Sequence, residues 1–279
     1  MKAIFPTSID GDLLKLVHMS NGFRMVDGAV PLEAGDVCRS EAKIVSVINA
    51  NEGKIVKVKG YVYRDNKEVI EVVSSFLYRG TFVDFDNTFD TTEEADYLVS
   101  LSTDADVGVL QSKEWFDWTD ESTPLAAGAS LLFRVQSEVA FQGKAAYRDV
   151  QVVGDVFVRN QLKELVKVGS VDFQQEDSQG NPVLAYLQRH GVAQGLPTPL
   201  PEDGYSLASA DVPSVFRAPL TNEPYSKVSG DFNPIHINPY FSCYAALPGT
   251  ITHGMWSSAA TRRYVETVVA QGHPERVVS

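Results

Sequence analysis

An α+β fold, antiparallel sheet with helices laid against it, is what this sequence predicts, and three features predict it. A short apolar run with helical spacing (Leu13, Leu14, Leu16, Val17 and Met19) is closed by Gly22. Long segments with a period of two follow, joined by turn signals of two or three residues. The helix-then-sheet order then recurs further along the chain, which suggests a duplicated module.

The elements follow in order. Val37 to Ile48 reads as a strand, ended by a turn at Asn51-Glu52-Gly53. Lys54 to Tyr63 alternates, with Val56, Val58 and Val62 on one face and Lys57 and Lys59 on the other. A turn at Asp65-Asn66 leads into a third strand, Glu68 to Tyr78. Hairpin-linked strands leave one face to be covered, and the preceding helix is the expected cover. Residues 82 to 125 are less regular, with Trp115 and Trp118 as expected packing anchors. A second meander begins at Leu131, where Leu131, Phe133, Val135, Val139 and Phe141 alternate with Arg134, Gln136 and Glu138. It turns at Gln142-Gly143-Lys144 and continues through Tyr147 to Val158, with a further strand near Lys167 to Phe173. Pro182 to Arg189 reads as a helix, with proline in its first turn and Gly191 after its end. The expected organisation is a module at 1–125, a second or linking module at 126–194, a Pro/Gly-rich linker at 195–211 and a final segment at 212–279.

Composition limits the function classes. The formal charge is −12 over 279 residues, with no basic cluster larger than Arg262-Arg263. Nucleic acid and anionic membrane are therefore not expected partners. No apolar run is long enough to cross a bilayer, and the opening MKAIFPTSIDGD lacks a secretory core, so a cytoplasmic location is expected. Cys38 and Cys243 read as reduced thiols. No His/Cys/Glu spacing suggests a metal, no nucleotide-binding glycine motif follows a strand, and no serine elbow occurs.

Chemistry concentrates near the end. In Gly230-Asp231-Phe232-Asn233-Pro234-Ile235-His236 a carboxylate and an imidazole stand five residues apart, around an Asn-Pro turn. Two unlike titratable groups held together can divide acid and base work. The plain alternative is that Asp231 and Asn233 cap turns while His236 packs. Further on, TITHGMWSSAA starts a helix with Thr252 as its expected N-cap. The free amides of His253, Gly254 and Met255 could hold a developing oxyanion there, Gly254 admitting the closest approach. Small residues at 257–260 could equally serve close packing alone. His253 faces that pocket or caps the helix; His18, His190 and His273 have no supporting carboxylate and read as structural or exposed.

The stretch YSKVSGDFNPIH resembles the signature of MaoC-like hydratases and dehydratases, which include the (R)-specific enoyl-CoA hydratases. The longer match through LPGTITHGMWSSAATR, with AIFPTSIDGDLLKLVHMSNGF and SSFLYRGTFVDFDNTF, resembles the dehydratase region of fungal type I fatty acid synthase beta subunits. The resemblance implies hot-dog modules, each a long helix wrapped by antiparallel sheet. It implies loss of water from a (3R)-3-hydroxyacyl group on acyl carrier protein, giving a trans-2-enoyl thioester. Asp231 and His236 are then the catalytic pair, and Gly254, Asn233 and His253 bind the substrate or its oxyanion. No cofactor is implied beyond the phosphopantetheine arm carrying the substrate; the partners are the carrier protein and the other synthase domains. Because the sequence stops at Ser279, just after its catalytic helix, the last module is expected to lack its sheet and the segment to be weakly active or inactive alone. A hydratase acting on coenzyme A thioesters, and a non-catalytic structural or acyl-binding segment, are the alternatives.

Overall fold

The computed structural model describes residues 13–26, 28–82, 88–141, 148–160, 162–194 and 216–277. It is α+β, as expected, with strands that pair antiparallel. Two units divide the chain: Met1–Phe85 with Tyr205–Ser279, and Asp86–Gly204. The expected linker, 195–211, and the turn at Gln142-Gly143-Lys144 lie outside the described residues.

In the first unit, β1 (Leu16–Met25), β2 (Cys38–Ala50), β3 (Gly53–Arg64) and β4 (Lys67–Arg79) make a sheet in the order β1-β4-β3-β2. The β3–β4 hairpin closes on Asp65 and Asn66, both left-handed at φ 51° and 62°. That pair of angles is the type I′ turn whose twist suits a two-residue hairpin. Gly53 takes φ 152°, and a Cβ there would stand 1.8 Å from the Tyr78 carbonyl oxygen, so only glycine fits. Val56 and Val58 are buried and Lys57 is exposed, as the alternation predicts.

The helix expected over Leu13 to Met19 is corrected. Only one 3-10 turn forms, Leu13–Lys15, and β1 begins at once. Five apolar residues satisfy either period poorly. What decides is a partner: β1 registers along β4 from Leu16 opposite Tyr78 to Met25 opposite Ile70. A ladder of that length outweighs a weak helical preference. The cover expected from that helix therefore comes from elsewhere. Asn21 of β1 donates to Met255 Sδ at 2.8 Å and to Ser258 Oγ at 3.2 Å, so the helix lying on β1 is the one near the chain's end.

The second unit holds β5 (Thr88–Glu93), β6 (Asp96–Ser100), α1 (Asp104–Gln111), β7 (Phe116–Trp118), β8 (Ser130–Phe141), β9 (Arg148–Arg159), β10 (Leu165–Ser178), α2 (Pro182–His190) and β11 (Gly191–Gln194). Strands β8, β9, β10 and β7 lie in that order, and β5 and β6 share the other edge of β8. Residues 86–125 thus belong with 126–194 rather than with the first module, because two of their strands pair with β8. Thr103 and Asp106 form a reciprocal capping box at the start of α1. Asn181 caps α2, with Pro182 in its first turn. The helices bury Val107, Leu110, Val183 and Leu187 against Leu131, Phe133, Val152 and Val156 of the sheet. Trp115 joins this core, its ring 5.5 Å from that of Tyr186, which is the anchoring the sequence suggests. Among the described residues no helix is long and apolar enough to cross a membrane.

Candidate active site

From Asn222 onward the first unit is a string of helices, the first three of which carry proline in their first turn. The first, α3 (Glu223–Ser229), ends at Gly230, left-handed at φ 72°. The backbone can reverse there at little cost only because glycine has no Cβ. Asp231 Oδ1 then accepts the Asn233 amide at 3.1 Å, and Asn233 Oδ1 accepts the Ile235 amide at 3.4 Å. Pro234 opens α4 (Pro234–Ile237), and Asn238 caps α5 (Pro239–Tyr244). The turn-capping roles weighed for Asp231 and Asn233 are therefore occupied. The Ile251 amide donates to the Ile235 carbonyl at 3.3 Å, which returns the chain past α4 just before α6 (Gly254–Tyr264).

That return brings three predicted residues together. Asp231, His236 and His253 each offer one nitrogen or oxygen atom within 4.8 Å of the others'. The His236 ring lies face to face on His253, with centroids 3.9 Å apart and planes inclined by 27°. His236 Nδ1 lies 2.8 Å from the Ile251 carbonyl oxygen. A carbonyl only accepts, so Nδ1 carries the proton and Nε2 keeps its lone pair. Burial holds the His236 pKa below its ordinary value of 6.5; the Ile251 bond opposes this, while nearby His253 adds to it. The ring is thus a neutral imidazole with a basic Nε2 at pH 7.

His253 is the buried member, 1% exposed. Its Nε2 lies 3.1 Å from the Asp231 carbonyl oxygen and 3.3 Å from Ser226 Oγ. The Asp231 carboxylate stands 4.0 Å from the same nitrogen, with its side chain 48% exposed. One group is therefore sealed in and the other faces solvent. These three residues are the group among those described that could gather a metal ion. Ligated imidazoles hold a metal in the ring plane, however, and two stacked rings do not share such a point, so the arrangement suits proton transfer better than coordination.

The helix start differs from expectation in one respect. His253, not Thr252, is the N-cap residue, and it makes no side-chain capping bond. The chain enters helical geometry one residue later than the sequence suggests. Trp256 and Ser257 both donate to the His253 carbonyl, leaving the Gly254 and Met255 amides with no acceptor inside the helix. Gly254 has a neighbour from a distant strand. A Cβ there would stand 3.1 Å from Nδ1 of His18, on β1. His18 stacks on Phe76 at 4.6 Å and its Nε2 lies 2.9 Å from Asn21 Oδ1. Read from sequence as structural or exposed, His18 is half-buried at the start of α6. Beyond α6 the chain takes a π-helical turn, Val265–Val269, before closing at Ala270.

Asn222 is the other residue missed. It looks like a helix cap, and occupies the N-cap of α3, but its side chain makes no capping bond. Its Nδ2 instead donates to the carbonyls of His236 and Ile251, at 2.8 and 3.0 Å. Nothing in the local sequence separates the two uses.

Family models match three stretches: the MFE-2 hydratase 2 N-terminal domain at residues 1–80, the fatty acid synthase subunit beta insertion domain at 89–187, and the MaoC-like domain at 205–279. The fatty acid synthase subunit beta of Schizosaccharomyces pombe is 50% identical over 99% of this chain, and that of Saccharomyces cerevisiae 46% over 99%. The chain is a relative of the fungal fatty acid synthase beta subunits. It spans 14% and 13% of those two proteins' lengths. A MaoC-like dehydratase from Phytophthora capsici aligns with 59% of this chain and 73% of its own, at 11% identity and a TM-score of 0.23, too loose a superposition to argue from. The insertion-domain match falls within the second unit, and the other two matches fall in the two stretches that make the first.

Proposed function

We propose that this segment carries the dehydratase step of a fatty acid synthase: removal of water from a (3R)-3-hydroxyacyl group to give a trans-2-enoyl thioester, with the acyl group held on the phosphopantetheine arm of an acyl carrier protein. The observation that carries the reading is His236, a neutral imidazole with a free Nε2, placed beside Asp231 and the start of α6. Nε2 removes the C2 proton, and the electron pair moves onto the thioester oxygen as the enolate forms. The Gly254 amide, in the first turn of α6, which has no side-chain cap, holds that oxygen in this reading. Collapse of the enolate forms the C2–C3 double bond and expels the C3 hydroxyl, which takes a proton from Asp231 in its acid form, or from a water that Asp231 holds, and leaves as water; the proton gained by His236 then returns to that donor. Asn233 fixes the turn between the two groups, and His253 is the wall on which His236 stacks. No cofactor beyond the arm is needed. The partners are the carrier protein and the other synthase domains.

The match of residues 1–80 to a hydratase domain favours a second reading, in which the same groups add water to an enoyl-coenzyme A. Turnover of 3-hydroxybutyryl groups on carrier protein and on coenzyme A, by the intact beta subunit, tests the two. Faster dehydration of the carrier-bound form supports the first reading. A strong preference for coenzyme A overturns it.

A further inference from the structure

We infer that Asn222 is a positioning residue for His236, its carboxamide clamping the one carbonyl that decides which nitrogen of the imidazole is basic. The inference rests on His236 being the base proposed above. Its geometry is a closed circuit. Nδ2 of Asn222 donates to the Ile251 carbonyl at 3.0 Å, and His236 Nδ1–H donates to that same oxygen at 2.8 Å. The second Nδ2 proton goes to the backbone carbonyl of His236 itself, at 2.8 Å. One buried amide therefore fixes both the backbone that carries the ring and the oxygen that orients it.

Three features separate this arrangement from ordinary packing. Asn222 holds the N-cap of α3 yet spends no bond on capping that helix, although asparagine is among the best capping residues. Its Oδ1 is buried with no partner among the described residues, so the amide is oriented by its two donated bonds and not by its oxygen. Turning it would set Oδ1 against two carbonyl oxygens and release Ile251, so the two acceptors dictate the orientation. Finally, a free imidazole in water favours the Nε2–H form. Holding the proton on Nδ1 takes a fixed acceptor, and a carbonyl braced by a second donor is one.

The experiment is nitrogen NMR of the histidine rings of the full 279-residue chain, alongside turnover by the beta subunit that carries the same changes. In the unsubstituted chain, His236 is expected to show a protonated Nδ1 and an unprotonated Nε2. A spectrum with the proton on Nε2 overturns the inference before any variant is made. In Asn222→Ala, the expected result is a mixture of the two forms, with kcat lowered about tenfold or more and KM within about twofold, as for loss of alignment rather than of binding. In Asn222→Asp, an isosteric carboxylate has no proton to give either carbonyl, and the His236 titration is expected to move upward. A folded variant in which His236 keeps its proton on Nδ1 and its titration reduces Asn222 to a structural staple and overturns the inference. If the proton shifts as expected but turnover does not fall, the clamp stands and the role of His236 as base fails.

Discussion

The two units bury different things. In Asp86–Gly204 the interior is a continuous apolar cluster running from Val99 through Phe133 and Val152 to Leu187, and its buried polar residues are the hydroxyl side chains Thr88, Ser137 and Ser178. The other unit buries Lys54, Asn222, Ser226, Ser242 and His253 beside its apolar residues. Among the described residues, the buried side-chain atoms left without a partner, Tyr78 Oη, Asn222 Oδ1 and His253 Nδ1, all belong to it. Burial pushes the Tyr78 phenol up to about 12. Under the proposed mechanism, the unit that keeps unpaired buried polar atoms is the one that positions groups for chemistry.

The largest effect that would break this contrast is chemical. Under the proposed mechanism, His236→Ala or Asp231→Asn lowers dehydration by about 10²–10⁴-fold while the melting temperature changes little. Unchanged turnover would leave the first unit with buried polar groups and no catalytic use for them. The second unit should give the opposite response. Phe133→Ala, at a fully buried position, is expected to cost about 3–5 kcal/mol of stability. The His236 titration, followed by NMR in the folded variant, should not move.

A smaller effect sharpens the account of Gly254. Gly254→Ala puts a methyl 3.1 Å from the His18 ring, and is expected to cost about 1–3 kcal/mol through overpacking. Combining it with His18→Ala should recover most of that loss in denaturant melts, because the two positions compete for one space. Additive losses would show that the glycine is needed for another reason.

Acid dependence gives a further test. Burial lowers the His236 pKa, so as pH falls below 6.5 the unfolded chain takes up a proton that the folded chain refuses. Stability should therefore fall from that pH down to the lowered value, and His236→Gln should flatten this part of the curve. The acid limb of turnover should likewise lie below 6.5 if the ring is the base. The smallest change belongs to the second unit. Thr103→Ala breaks the capping box of α1 and is expected to cost about 0.5–2 kcal/mol, with no effect on His236 or His253.

Much of this was legible beforehand, for identifiable reasons. Strands β2, β3 and β4 and the helix at Pro182 fall close to where the alternation and the Pro/Gly punctuation place them, because hairpin turns and caps are decided by neighbouring residues. The convergence of Asp231 with His236 was readable because five residues and one Asn-Pro turn separate them. The strand at Leu16 differs from the helix that the apolar spacing predicts because its partner, β4, lies some fifty residues away. The pairing of β5 and β6 with β8 likewise spans tens of residues, which no local pattern reports.

The sequence alone thus determined the periods of β2, β3 and β4, the turn at Asp65-Asn66, the ends of the helix at Pro182 and the acid-imidazole pair, all properties of short stretches of chain. Only the tertiary structure decided that His253 would stack on His236, that His18 would fill the space beside Gly254, and that Asn222 would give up a cap to hold two carbonyls. Those relations join residues 14 to 236 positions apart. A side chain's choice between its own helix and a distant acceptor depends on what burial places within reach, which no local pattern records.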